Sequence, residues 1–140
     1  MTAIRKMTIE DVKYLNLEAD WMKDRYESYL NAQTGPAWIL EDESGPLCAF
    51  GAAFFWEGVA ECWFNLISRR KIFSQVKTAK RYLSEQIRVF KAHRVFATTK
   101  CDSEIGIRFL EWMGFKCETP EGMAGYNPDG SSAYLYAKVI

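Results

Sequence analysis

Three cations stand in a row at Arg69-Arg70-Lys71. The run before them, Glu61 to Ile67, is apolar enough to read as a strand. The run after them, to Phe90, reads as an amphipathic helix. A connector that leaves a strand and enters a helix aims backbone N–H groups at whatever sits there. Four donors at a helix start lack intrahelical partners, and the macrodipole adds roughly half a positive charge. Arg69, Arg70 and Lys71 add full charges beside them, which makes a candidate site for a phosphate-bearing ligand. The competing reading is a solvated loop ahead of an ordinary helix. Other reactive groups are few. His93 is the only histidine and falls between a helix and a strand, so a Ser–His–Asp or Cys–His device lacks support. Cys48, Cys62, Cys101 and Cys117 form no CxxC pair, and no zinc or other metal site is expected. Their apolar surroundings read as buried free thiols of a reducing compartment, with a disulfide as the competing reading.

The 140 residues fit one domain, 1–140, with one core, and a hydrophobic content of 49% suits a globular chain rather than a disordered one. A formal net charge of zero argues against a general nucleic-acid or membrane-surface binder. Met1 to Lys6 carries no secretory apolar stretch and no spanning segment follows, so a cytoplasmic protein is expected.

The elements that must position the connector follow from periodicity. Ile4 to Met7 reads as a strand. Thr8 with Asp11 resembles a capping box and predicts a helix from Ile9, with Val12, Leu15 and Leu17 inward. Asp20 to Leu30 predicts a second helix, stopped by Thr34-Gly35-Pro36. Ala37–Asp42, Leu47–Trp56 and Ala60–Ile67 predict an antiparallel meander, turning at Glu43–Pro46 and at Glu57-Gly58. Leu47–Trp56 is apolar at nearly every position, which predicts burial on both faces. Trp56 and Trp63 are placed to line a cleft. In the helix after the connector, Val76, Ala79, Leu83, Ile87 and Phe90 repeat at three- and four-residue steps, leaving Lys77, Lys80, Arg81, Glu85, Arg88 and Lys91 for solvent. Arg94–Thr99 predicts a strand parallel to Ala60–Ile67. Asp102 or Ser103 caps a last helix with Ile105, Phe109, Leu110 and Met113 inward, and Gly114 suits its left-handed end. Phe115–Thr119 and Tyr134–Val139 predict the final strands, around a long loop from Pro120 to Ser132. An α/β (α+β) fold follows: a mixed sheet of about seven strands with helices on both faces.

That order resembles the GNAT superfamily of acyl-CoA-dependent N-acyltransferases. Ile4-Arg5-Lys6-Met7-Thr8-Ile9-Glu10-Asp11 is similar to its opening strand and helix start. Ser103 to Phe115, ending Trp112-Met113-Gly114-Phe115, is similar to its last helix. A narrower resemblance, to small GNAT-like proteins of tailed bacteriophages, rests on Glu61-Cys62-Trp63-Phe64, on the basic helix Lys77–Arg88 and on Ile107–Gly114. The resemblance implies acetyl-CoA as co-substrate and an amine-bearing small molecule or protein as acceptor. It is also compatible with a homodimer. It puts a general base at Glu61, and it puts the amide of Leu66 or Ile67 at the thioester oxygen, where the family splays its strands. The chain departs from the family at two places. The pyrophosphate motif Arg/Gln-x-x-Gly-x-Gly/Ala is Arg70-Lys71-Ile72-Phe73-Ser74-Gln75 here, so Phe73 and Gln75 are expected to crowd the phosphate. Binding would then rest on Ser74, the amides of Gln75 and Val76, and the neighbouring cations. Leu110 stands where the family often has a Tyr acid, and Ser103 where it has an Asn. Two functions follow: an N-acetyltransferase with a degenerate pyrophosphate loop, or a non-catalytic GNAT-fold phage protein that works as a binding or virion-associated module.

Overall fold

The computed structural model describes residues 1–17, 20–31 and 35–140. Seven strands form one sheet: β1 (Ala3–Lys6), β2 (Ala37–Asp42), β3 (Gly45–Trp56), β4 (Val59–Leu66), β5 (Arg94–Lys100), β6 (Lys116–Cys117) and β7 (Ala133–Val139). Their order is β1-β2-β3-β4-β5-β7-β6. Every neighbouring pair is antiparallel except β4 and β5, which run parallel and are joined through α2 (Ile72–Val89). A 3-10 helix (Ile9–Tyr14) and α1 (Asp20–Asn31) precede the meander, and α3 (Glu104–Trp112) follows β5. This is the mixed sheet that the periodicity predicts. The helix stop read at Thr34-Gly35-Pro36 falls partly on residue 34, outside the described residues.

Side-chain alternation along the meander splits the core between two faces. Cys62 and, half-buried, Phe64 point with Trp38, Leu40 and Phe50 toward Ala79 and Leu83 of α2 and Leu110 of α3. Trp63 points with Ile39 and Ala49 the other way, toward Val12 and Leu15 of the 3-10 helix and Tyr26 of α1. Helices therefore cover both faces, and the central strands are apolar because neither side meets water. Burial runs unbroken from Leu47 to Ala53; Phe55 and Trp56 are exposed, because the strand has by then passed beyond its helices.

Local chemistry sets the ends. Asp11 takes the Thr8 amide at 2.8 Å, the acidic half of the expected capping box, and binds Arg5 through both oxygens at 2.9 Å. Ser103 caps α3 by accepting the Gly106 amide at 3.1 Å, and Gly114 closes it at φ +91°. Ile105, expected inward, is 81% exposed in the first turn of α3. The strand expected over Phe115–Thr119 shrinks to Lys116–Cys117. Thr119 leaves the ladder because its hydroxyl, not its carbonyl, receives the Leu135 amide at 2.8 Å. Among the described residues no helix is long and apolar enough to cross a membrane.

Candidate functional site

β4 and β5 pair only at Val59–Arg94, Ala60–Val95 and Glu61–Phe96. Past Glu61, β4 continues along β3 to Leu66 while β5 continues along β7 to Lys100. The two strands part, and a cavity of about 480 Å³ occupies the opening, walled by Phe64 and Leu66 of β4 and by Ala97 and Thr99 of β5. The ladder tells which amides face it. Ile67 donates its N–H to Leu47 at 3.0 Å and so faces β3. Antiparallel strands alternate in this respect, so the amides of Leu66 and Phe64 face the opposite way, into the gap that β5 has left. Of the two amides named for a thioester oxygen, Leu66 has the free direction and Ile67 is committed to β3.

The connector lies at the mouth, with Ile72 and Val76 of the first turn of α2 in the cavity wall. Among the described residues no side-chain cap hydrogen bond is made at the start of this helix, whose N-cap residue Lys71 sits in the left-handed region at φ 54°. Gln75, 1% exposed, is turned back into the connector. Its Nε2 donates to Ser68 O at 2.6 Å and to Arg70 O at 3.0 Å, while Oε1 is buried with no partner among the described residues. A trans peptide points its C=O and N–H in opposite directions. Two carbonyls drawn inward by Gln75 therefore turn the N–H groups of Arg69 and Lys71 outward, beside the uncapped amides of the helix start. Phe73 is 81% exposed and stands outside the cavity wall, and Gln75 is folded away from it.

The connector cations are distributed unevenly. Asp42, at the end of β2, binds Arg70 Nη2 at 3.1 Å and Lys71 Nζ at 3.3 Å. Burial works to raise the Asp42 carboxyl, but the Ser44 amide and the Arg70 and Lys71 cations outweigh it and hold its pKa at about 2. Arg69 is exposed and makes no ion pair among the described residues, and Ser74 is exposed on the first turn.

The cavity passes through the sheet. On its α2 and α3 side, Ser103 and Leu110 line it, so a buried leucine stands at the place where a hydroxyl acid would be sought. Lys80 lines it too. Rather than standing free in solvent as the helix pattern predicts, it lies 4.4 Å from the centre of the Trp112 ring and donates to Trp112 O at 3.2 Å. On the α1 side, Glu61 is 3% exposed and binds Arg25 Nη2 at 2.6 Å, so it is not an exposed strand-end carboxylate. Arg25 and Trp63 belong to the wall; Trp56 lies at the far end of the sheet, in solvent. Asn65 accepts the Asn16 amide and donates to the Asn16 carbonyl, both at 2.9 Å, which fixes the chain after the 3-10 helix against β4. Sequence reading missed Arg25. The hint was its spacing: Trp21, Met22, Arg25 and Tyr26 share one helical face, and a cation within an apolar stripe needs a buried partner. Among the described residues no three His, Cys, Asp or Glu side chains gather to hold a metal ion.

No protein-family profile matches the sequence, and no curated protein sequence matches it. Solved structures do match. An IAA acetyltransferase from Bacillus cereus superposes with a TM-score of 0.81 at 13% identity, over 100% of both chains. A ribosomal-protein-alanine N-acetyltransferase from Escherichia coli gives 0.79 at 13% identity, over 100% of this chain and 94% of that one. Mutant forms of a spermidine/spermine N-acetyltransferase from Vibrio cholerae give 0.72 at 14% identity, over 99% and 95%. Likeness at this identity is likeness of architecture, and with the parted parallel strands it leads to one conclusion: the chain has the GNAT fold.

Proposed function

We propose that the chain is an acyl-CoA-dependent N-acyltransferase using acetyl-CoA. One observation carries this reading: β4 and β5 separate after three paired residues, and the cavity between them opens beside an uncapped helix start. A pantetheine arm is a narrow chain of amides that can complete both abandoned strand edges. The diphosphate would meet the outward amides of Arg69 and Lys71, the helix-start amides, the Ser74 hydroxyl and the Arg69 guanidinium. Arg70 and Lys71 would add charge while remaining tied to Asp42. Gln75 and Val76 contribute the backbone of the first turn, with Gln75 holding the connector in shape.

The transfer needs a neutral amine aligned with the thioester carbonyl. The amine nitrogen attacks that carbon, a C–N bond forms, and the oxyanion is held by the Leu66 amide. The C–S bond then breaks and releases CoA as a thiolate. The proton lost by the amine passes to Glu61, directly or through water, with Arg25 steadying the carboxylate. Leu110 offers the thiolate no proton, so the thiolate takes one from solvent. Ser103, whose oxygen already accepts the Gly106 amide, keeps its own O–H to donate to the pantetheine arm.

A second reading, a non-catalytic GNAT-fold protein of a phage or prophage that binds a partner, draws on the Asp42 clamp, which already neutralises two connector cations. Thermal unfolding with and without acetyl-CoA separates the two. A ligand at a hundred times its dissociation constant adds about 2.7 kcal/mol. The transferase reading expects that gain, its loss in Arg69→Glu, and its retention in Arg88→Glu on the outer face of α2. No gain at millimolar acetyl-CoA would favour the binding module.

A further inference from the structure

The α1 side of the cavity is walled by the side chains of Trp21, Met22, Tyr26 and Trp63, with Tyr26 and Trp63 edge-to-face at 5.1 Å between centroids. The polar groups set among them are largely spoken for. Arg25 and Glu61 neutralise one another at 2.6 Å. The Asn65 side chain accepts the Asn16 backbone N–H and donates to the Asn16 C=O. A peptide acceptor is read through backbone donors and acceptors, and Asn65 already spends its side chain on the Asn16 backbone. A polyamine needs an array of carboxylates. The charged groups on the cavity wall among the described residues are Arg25, whose partner Glu61 lies behind it, and Lys80, Lys100 and Asp129, which offer a polycation no array of carboxylates. Asp129 is itself held by the amide and hydroxyl of Ser131. What is left to a ligand is aromatic and thioether surface.

Building on the proposed transferase reading, we infer that the acceptor is a small monoamine with a flat apolar body, seated between Trp21, Met22, Tyr26 and Trp63 with its nitrogen toward Glu61. Aromatic faces hold such a body by stacking and draw an ammonium by cation–π attraction before it loses its proton. The reaction is the transfer written above, amine plus acetyl-CoA giving N-acetylamine and CoA.

The test uses the full chain, acetyl-CoA, and phenethylamine, tyramine, spermidine and a short peptide with a free N-terminus. The readout is CoA thiol release. Phenethylamine and tyramine should give a kcat/KM at least about tenfold above spermidine and the peptide. Trp63→Ala should raise the KM for phenethylamine about tenfold while the acetyl-CoA-induced stabilisation stays unchanged. Trp63→Phe, which keeps a ring, should restore most of the loss and guards against a misfolded alanine variant. Acetyl-CoA binding with spermidine or the peptide preferred, or with no amine acetylated, overturns the acceptor assignment and leaves the donor site standing. No acetyl-CoA binding at all removes both.

Discussion

Replacing Gln75 by leucine tests whether the connector is held in shape by a side chain rather than by glycine. The two carbonyl contacts, to Ser68 O and Arg70 O, disappear. Each is worth about 0.5–1.5 kcal/mol net, so roughly 1–3 kcal/mol of stability is lost. The same change removes Oε1, a buried acceptor with no partner among the described residues, whose desolvation costs about 1–3 kcal/mol. Leucine nearly matches the volume of glutamine, so no cavity opens. The two effects offset, and global stability should change by less than about 1 kcal/mol. The anion site should not escape so lightly. With its carbonyls released, the connector must be ordered again on binding, at about 1–2 kcal/mol for each backbone residue fixed. Ordering one or two residues weakens acetyl-CoA binding about ten- to a hundredfold. Urea unfolding gives the first quantity and titration calorimetry with acetyl-CoA the second. Unchanged affinity in a stably folded Gln75→Leu would refute the argument, since the outward amides would then be held by something other than Gln75. Gln75→Glu should fare worse on both counts, because a carboxylate set against two carbonyls repels them.

Further outcomes follow from the same geometry. The Asp42 carboxyl is held at about 2, below its ordinary 3.8, so its contribution to stability is complete above that ordinary value and is lost as pH falls toward 2. The difference in urea midpoint between the wild type and Asp42→Asn should therefore be flat above about pH 5 and shrink in acid; a difference independent of pH would contradict the clamp. A Cβ on Gly106 would lie 2.1 Å from Thr99 Oγ1, so Gly106→Ala should push α3 off β5 and cost about 1–3 kcal/mol, read as a melting point lowered by roughly 4–12 °C. Burial pushes the Cys48 and Cys62 thiols up to about 12, and a thiol reagent at pH 8 should label Cys101 and Cys117 in the native chain and the other two only after unfolding. Glu61→Gln should abolish thiol release while acetyl-CoA still binds, since Glu61 acts on the acceptor's proton and not on the donor.

The sheet was legible because its causes are local. Apolar runs bounded by Gly45-Pro46 and Glu57-Gly58 can only be a meander, and the Ala79–Leu83 stripe can only face it. Ser103 and Gly114 announced both ends of α3. The site was legible in outline, through the strand, connector and helix sequence. Its details depend on contacts that the chain order does not contain. Nothing near residue 70 in sequence reveals that Asp42, 28 positions away, binds Arg70. Gln75 read as an obstruction because a bulky side chain in place of glycine suggests crowding; its direction, into the connector, is a tertiary fact. Ile105 and Lys80 misled for a shared reason. Helical spacing fixes a side chain's bearing around the axis, but it does not say where the neighbouring surface stops. Lys80 takes up with Trp112 because α3 happens to lie within reach of its long stem.

The proposed transfer depends on the parted strands accepting the arm of a CoA thioester. Its most direct test is a crystal structure of the chain grown with acetyl-CoA. The thioester oxygen should lie within hydrogen-bond distance of the Leu66 amide, the arm between β4 and β5, and the diphosphate against the first turn of α2. A diphosphate bound elsewhere, or a gap between β4 and β5 left without the ligand at saturating acetyl-CoA, would contradict it.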